Sequence, residues 1–202
     1  MTAPPAPIPV EGVATPQAAD EARFAFDALL EAVHAVARQG VAHGPALRRE
    51  VGRLMAEMQA RDVFDQRMAH LTVAMAAIPV LGPVERAATL LVCSHQAWAV
   101  AEVLRAAGQG AATSFSRVAR LAAEAGDAPQ LAHATSAGRA AAARLGEAAA
   151  GIEAEGRALA SGIDRDVSAE ARRAADLSWL DALYTMEDER RTHALALAAP
   201  DG

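Results

Sequence analysis

Between Asp20 and Gln39 apolar side chains return at helical spacing, at Phe26, Leu29, Leu30, Val33 and Val36, and Gly40 and Gly44 close the run. This predicts a first amphipathic helix. Pro45 suits a first helical position, and no Gly-Pro break follows until Pro79 apart from Gly52, so a long helix is expected from Pro45 to Ile78. Its apolar residues form two stripes, Leu47, Val51, Leu54 and Met58, then Phe64, Met68, Leu71, Met75 and Ile78. At about 100° per residue the second stripe is rotated by more than a quarter turn from the first. A change of packing partner is therefore expected near Arg61. The stretch Pro79-Val-Leu-Gly-Pro83 predicts a tight break between two helices, a helical hairpin. The helix that follows, about Val84 to Ala107, carries Leu90, Leu91, Trp98, Val100 and Leu104 and is apolar on most sides. It is expected to be the most buried element. Gly108 and Gly110 are expected to interrupt it before a shorter helix around Phe115, Val118 and Leu121.

Beyond Gly126 the pattern changes to alternating steps of four and three. Leu131, Thr135, Gly138, Ala142, Leu145, Ala149, Ile152, Gly156, Leu159 and Ile163 form a heptad seam lined by small side chains, against which another helix can come close. Each glycine on this segment weakens the helix by up to about 1 kcal/mol relative to alanine, so packing must stabilise it. The last segment bears Leu177, Trp179, Leu180, Leu183 and Tyr184. Thr185 is a candidate N-cap for a final short helix, with Glu187, Asp188 and Glu189 in the first turn, where the helix dipole favours acids.

Composition narrows the fold. Of 202 residues 52% are apolar, but 55 are alanine, the strongest helix former, and only 3% are aromatic. The expectation is an all-α fold: an elongated antiparallel bundle of four to six helices around a long central hairpin, with a thin core. Residues 1–16 hold five prolines and no helical period, which predicts a disordered tail ahead of a single domain over residues 17–199. All 19 basic residues are arginine, yet the net charge is −6 and the pI about 5.5, which argues against a nucleic-acid surface. The N-terminus lacks the basic and apolar regions of a secretory signal. Pro79, Gly82, Pro83 and Glu85 interrupt the best candidate for a membrane span, so no transmembrane segment and a cytoplasmic location are expected. The thin core and the small-residue seam together predict self-association, as a homodimer, with packing against the Pro45 helix as the rival.

Common catalytic signatures are absent: there is no GxGxxG, P-loop, HExxH or GxSxG. Cys93 is a lone cysteine in an apolar run and reads as a buried, inert thiol. His34, His43, His70, His95, His133 and His193 are isolated from one another, with no i, i+4 pair to hold a metal. Neither a cofactor nor a metal is expected.

One polar stripe remains. Gln59, Asp62, Gln66 and His70 recur at steps of three, four and four. Asp62 and Gln66 point roughly 155° to 165° away from the centre of the Phe64-to-Ile78 stripe, so both are expected to be exposed. Asp65 is placed to pair with Arg61 one turn before it.

Asp62-x-x-x-Gln66 resembles the D-x-x-x-Q motif of the CheZ-type chemotaxis phosphatases, which also lies midway along a long helix of a bundle. The resemblance implies dephosphorylation of a response-regulator receiver domain. Gln66 would orient the attacking water, and Asp62 would pair with the receiver's active-site lysine. The aspartyl phosphate and its Mg²⁺ already supply most of the apparatus, so the partner adds only a well-held amide. That family also uses a C-terminal helix to hold its receiver, which makes the segment from Leu183 to Arg190 a candidate second docking element; capping and burial of Tyr184 explain it equally well. Two other readings stand beside this one: a non-catalytic helical scaffold built on the seam, and a phasin-like surface-coating protein.

Overall fold

The computed structural model describes residues 16–40, 44–126, 128–163 and 165–198. The proline-rich tail expected over residues 1–16 lies outside them except for Pro16. Of the described residues 92% are helical and none is in a strand. The helices are α1 (Pro16–Gly40), α2 (Gly44–Met58), α3 (Ala60–Ala77), α4 (Pro83–Glu124), α5 (Ala128–Ser161), α6 (Arg165–Ala174), α7 (Ser178–Leu183) and α8 (Glu187–Ala198). A single 3₁₀ turn, Ile78–Val80, leads into Pro83 at the start of α4, where the proline pair predicted the break.

Two elements differ from the sequence expectation. The helix expected over Pro45–Ile78 is broken at Gln59, whose N–H turns back to the Ala56 carbonyl at 3.1 Å. This is where the apolar stripe rotates: α2 buries Leu47 and Leu54, while α3 buries Phe64, Met68, Leu71 and Met75 on its own face. Conversely, α4 runs unbroken through Gly108 and Gly110. Gly108 is a packing position against backbone, whereas Gly110 faces the end of a movable side chain. A Cβ on Gly108 would stand 2.8 Å from the Ala142 carbonyl oxygen of α5, and one on Gly110 would collide with the Glu57 carboxylate of α2. By length and composition α4 also passes as a membrane-spanning helix, but 72% of its most apolar window is buried inside the protein, as in a core helix.

The chain groups into two compact units. One comprises Pro16–Met68 and Ala99–Ile152. Its core holds Phe26, Leu29, Val33, Leu54, Phe64, Leu104, Phe115, Leu131 and Leu145, all fully buried or nearly so. Here α1 packs on α2. On the other side α1 lies antiparallel to α5, since Ala18 touches Gly151 while residues 28–38 share a cleft with residues 133–144. The other unit comprises Ala69–Trp98 and residues 153–198, with Leu71, Ile78, Val92, Cys93, Leu177, Leu180 and Tyr184 at its centre.

The α5 seam is buried from Leu131 through Gly156, and Leu159 and Ile163 are half-buried. Its small residues admit neighbours of the same chain. The Phe115 ring of α4 lies against Gly138, and Ala97, Ser94 and Trp98 crowd Gly156. The seam that motivated a dimer is thus covered within one chain. Trp98, expected in the core, is 40% exposed, its ring against Gly156 and 5.3 Å from that of His95.

Candidate functional site

Three elements bear on the predicted site: the first two turns of α3, the α1 turn beside them, and the contacts that hold α8. Asp62 and Gln66 are both exposed, one turn apart on the outward face of α3. The core face opposite them is fixed by Phe64, fully buried, with its ring 6.0 Å from that of Phe26 on α1. Arg23 of α1 lies over the Phe64 ring, 5.8 Å from its centre.

Between the exposed and buried faces runs a ladder of charges. Arg23 Nε donates to Asp65 at 3.1 Å, and its Nη1 donates to Asp20 at 3.1 Å. Arg61 Nη1 donates to Asp27 at 2.5 Å, and its Nε stands 3.7 Å from Asp65. The expected Arg61–Asp65 pair is therefore one rung of a ladder joining α3 to α1. The pairs Arg23–Asp65 and Asp27–Arg61 set the two helices antiparallel. Each surface pair contributes at most about 1 kcal/mol, so their main effect is to fix which way α3 turns. Because Arg61 and Asp65 face α1, Asp62 and Gln66 face solvent. Asp62 also sits in the first turn of α3, where the helix dipole favours a carboxylate by about 0.3–1 kcal/mol.

The rest of the predicted stripe is not part of this surface. Gln59 lies in the turn before α3. His70 is committed elsewhere: its Nδ1 lies 2.8 and 3.0 Å from the two carboxylate oxygens of Glu189. A carboxylate only accepts, so Nδ1 carries the proton and donates. Glu189 is 1% exposed and also accepts the Met186 N–H at 3.4 Å, reaching back from the first turn of α8 to the residue before it. The cap position is Met186, one residue after the expected Thr185. Gln96 Nε2 of α4 donates to the Glu189 carbonyl at 2.8 Å, and Arg190 Nε donates to the Tyr184 carbonyl at 3.0 Å.

Tyr184, considered as a docking anchor, is 1% exposed and lies within its own unit between the rings of His70 and His193, at 6.2 and 5.7 Å. Burial, with the neighbouring carboxylate of Glu189, raises its hydroxyl pKa well above the ordinary range. Burial likewise lowers the pKa of His193, and pushes that of Cys93 up to about 12, which keeps the thiol protonated and non-nucleophilic. Capping and burial are what this segment displays. The sequence offered no sign of the His70–Glu189 bond, whose partners lie 119 residues apart.

Among the described residues no three His, Cys, Asp or Glu side chains gather as a metal site. A cleft of about 540 Å³ between α1 and α5 is lined by His34, Arg38, His133 and Arg144 over an alanine floor. It contains no nucleophile beside a base. Comparison with family models, with curated proteins and with solved structures gives no match. The chemistry therefore rests on the residues themselves.

Proposed function

We propose that this protein is an auxiliary signalling protein that accelerates the dephosphorylation of a response-regulator receiver domain, with Gln66 orienting the attacking water and Asp62 anchoring the receiver's active-site lysine. The observation that carries this reading is the exposure of Asp62 and Gln66, one turn apart, on a helix whose Arg61 and Asp65 are tied to α1. A carboxylate and an amide at that spacing can enter a partner's site together, and the ladder beneath them limits the reorientation needed on binding. The reading requires no nucleophile or metal from this chain, because the phosphorylated partner brings the leaving group and its metal. The scaffold alternative relied on the α5 seam, which this chain buries in itself.

The two residues are expected to fail differently. Gln66→Ala should abolish accelerated dephosphorylation while leaving receiver binding nearly intact, because the amide acts mainly in the transition state. Asp62→Ala should weaken the complex, since its role is an ion pair across the interface. Both sites are exposed, so neither change should lower stability by more than about 1 kcal/mol. Receiver-binding isotherms and single-turnover phosphate release measured on the same variants separate these outcomes. Wild-type rates in both variants would refute the assignment.

A further inference from the structure

We infer that Phe24 of α1 is an apolar anchor of the same receiver-docking surface, so that the surface comprises two helices rather than the D-x-x-x-Q stripe alone. This rests on the receiver reading given above and adds to it a residue outside the motif.

Phe24 is 76% exposed. Single exposed apolar residues are ordinary on protein surfaces, so position must decide. Phe26, Leu29, Val33 and Val36 of α1 follow the helical period into the core and are fully buried, and Leu30 is half-buried. Phe24 lies off that period, about 160° round the helix from Phe26. It packs on no core, and phenylalanine is a poorer helix former than the alanine or arginine that this chain places elsewhere. Neither packing nor helix propensity accounts for it.

The charge ladder sets where the phenyl group stands. Arg23 and Asp27, on either side of Phe24, bond Asp65 and Arg61 of α3, so this turn of α1 lies beside the first two turns of α3. Phe26 and Phe64 are both fully buried and meet on the core side of the helix pair, to one side of this ladder. Phe24 points away from Phe26, and Asp62 points away from Phe64 by a similar angle. Both therefore project from one side of the α1–α3 pair, separated by about one interhelical spacing, roughly 8–10 Å.

Phe24 shares these turns of α1 and α3 with four aspartates, Asp20, Asp27, Asp62 and Asp65, against two arginines, Arg23 and Arg61. An aromatic ring within a net acidic rim is complementary to a partner that offers an apolar recess beside a cation. A receiver whose active-site lysine meets Asp62 supplies that cation. Aromatic side chains at such positions commonly carry a large share of binding energy.

The test is the steady-state dephosphorylation of the cognate receiver, held phosphorylated by a small-molecule phosphodonor, with the full-length protein as wild type, Phe24→Ala, Phe24→Trp and Gln66→Ala. Phe24→Ala is expected to raise KM about tenfold or more with kcat unchanged, and Phe24→Trp to restore a KM close to wild type. Gln66→Ala is expected to lose kcat with KM unchanged. Thermal melting should leave both Phe24 variants at the wild-type transition. An active wild type with an unchanged KM for Phe24→Ala overturns the Phe24 assignment and leaves the phosphatase reading standing. A wild type inactive on every receiver of its own cell overturns both.

Discussion

Replacing Ile152 by aspartate is expected to remove the cooperative thermal transition altogether. Ile152 is 2% exposed, on the α5 seam within the unit built from Pro16–Met68 and Ala99–Ile152. An aspartate there would leave a carboxylate among apolar groups. Burying an unpaired charge typically destabilises by more than about 4 kcal/mol, against a total stability of about 5–15 kcal/mol for a domain. Ile152→Val, which removes one methyl group, should lower stability by only about 0.5–1.5 kcal/mol. Since the seam is covered within the chain, the loss should not depend on protein concentration. Calorimetry of both variants checks this, and an Ile152→Asp protein melting within a few degrees of wild type would contradict the burial of the seam.

The second large effect is expected at His70. It is the side chain bonded to the Glu189 carboxylate, which is 1% exposed. His70→Ala leaves a buried carboxylate without that donor, and losing a hydrogen bond to a buried charged group typically costs about 1–3 kcal/mol or more. Glu189→Gln keeps an acceptor for the Met186 N–H and for His70 and introduces no charge, so its cost should stay near that of one hydrogen bond, about 0.5–1.5 kcal/mol. The loss should concentrate at α8. Urea midpoints should rank the variants in this order, and a trypsin-type protease should cut after Arg190 or Arg191 faster in His70→Ala than in wild type. Equal midpoints for His70→Ala and Glu189→Gln would show that the pair does not hold the helix.

Features carried by local period were legible in the sequence. The heptad spacing placed the α5 seam, and the 100° rule placed Asp62 and Gln66 on the exposed face, because both depend only on residues within a few turns. Features set by distant partners were not. Gly108 and Gly110 read as a helix break, since glycine is weak in an isolated helix; the Ala142 carbonyl and the Glu57 carboxylate that occupy the missing side chains' places lie in other elements. The break at Gln59 has no glycine or proline to announce it, and only the rotation of the apolar stripe hinted at it. Arg61 found its predicted partner Asp65, but Arg23 and Asp27, which complete the ladder, belong to a helix some forty residues earlier. Tyr184 followed by an acidic turn read equally as a docking element or a capped, buried joint. The difference lies in His70, which nothing local connects to it.

The most direct test of the functional claim is the decay of phosphorylated receivers from the protein's own cell, followed with and without substoichiometric protein. The account predicts that at least one receiver loses its phosphoryl group several-fold faster when the protein is present. Unchanged decay for every receiver, with protein raised to tens of micromolar, would contradict it.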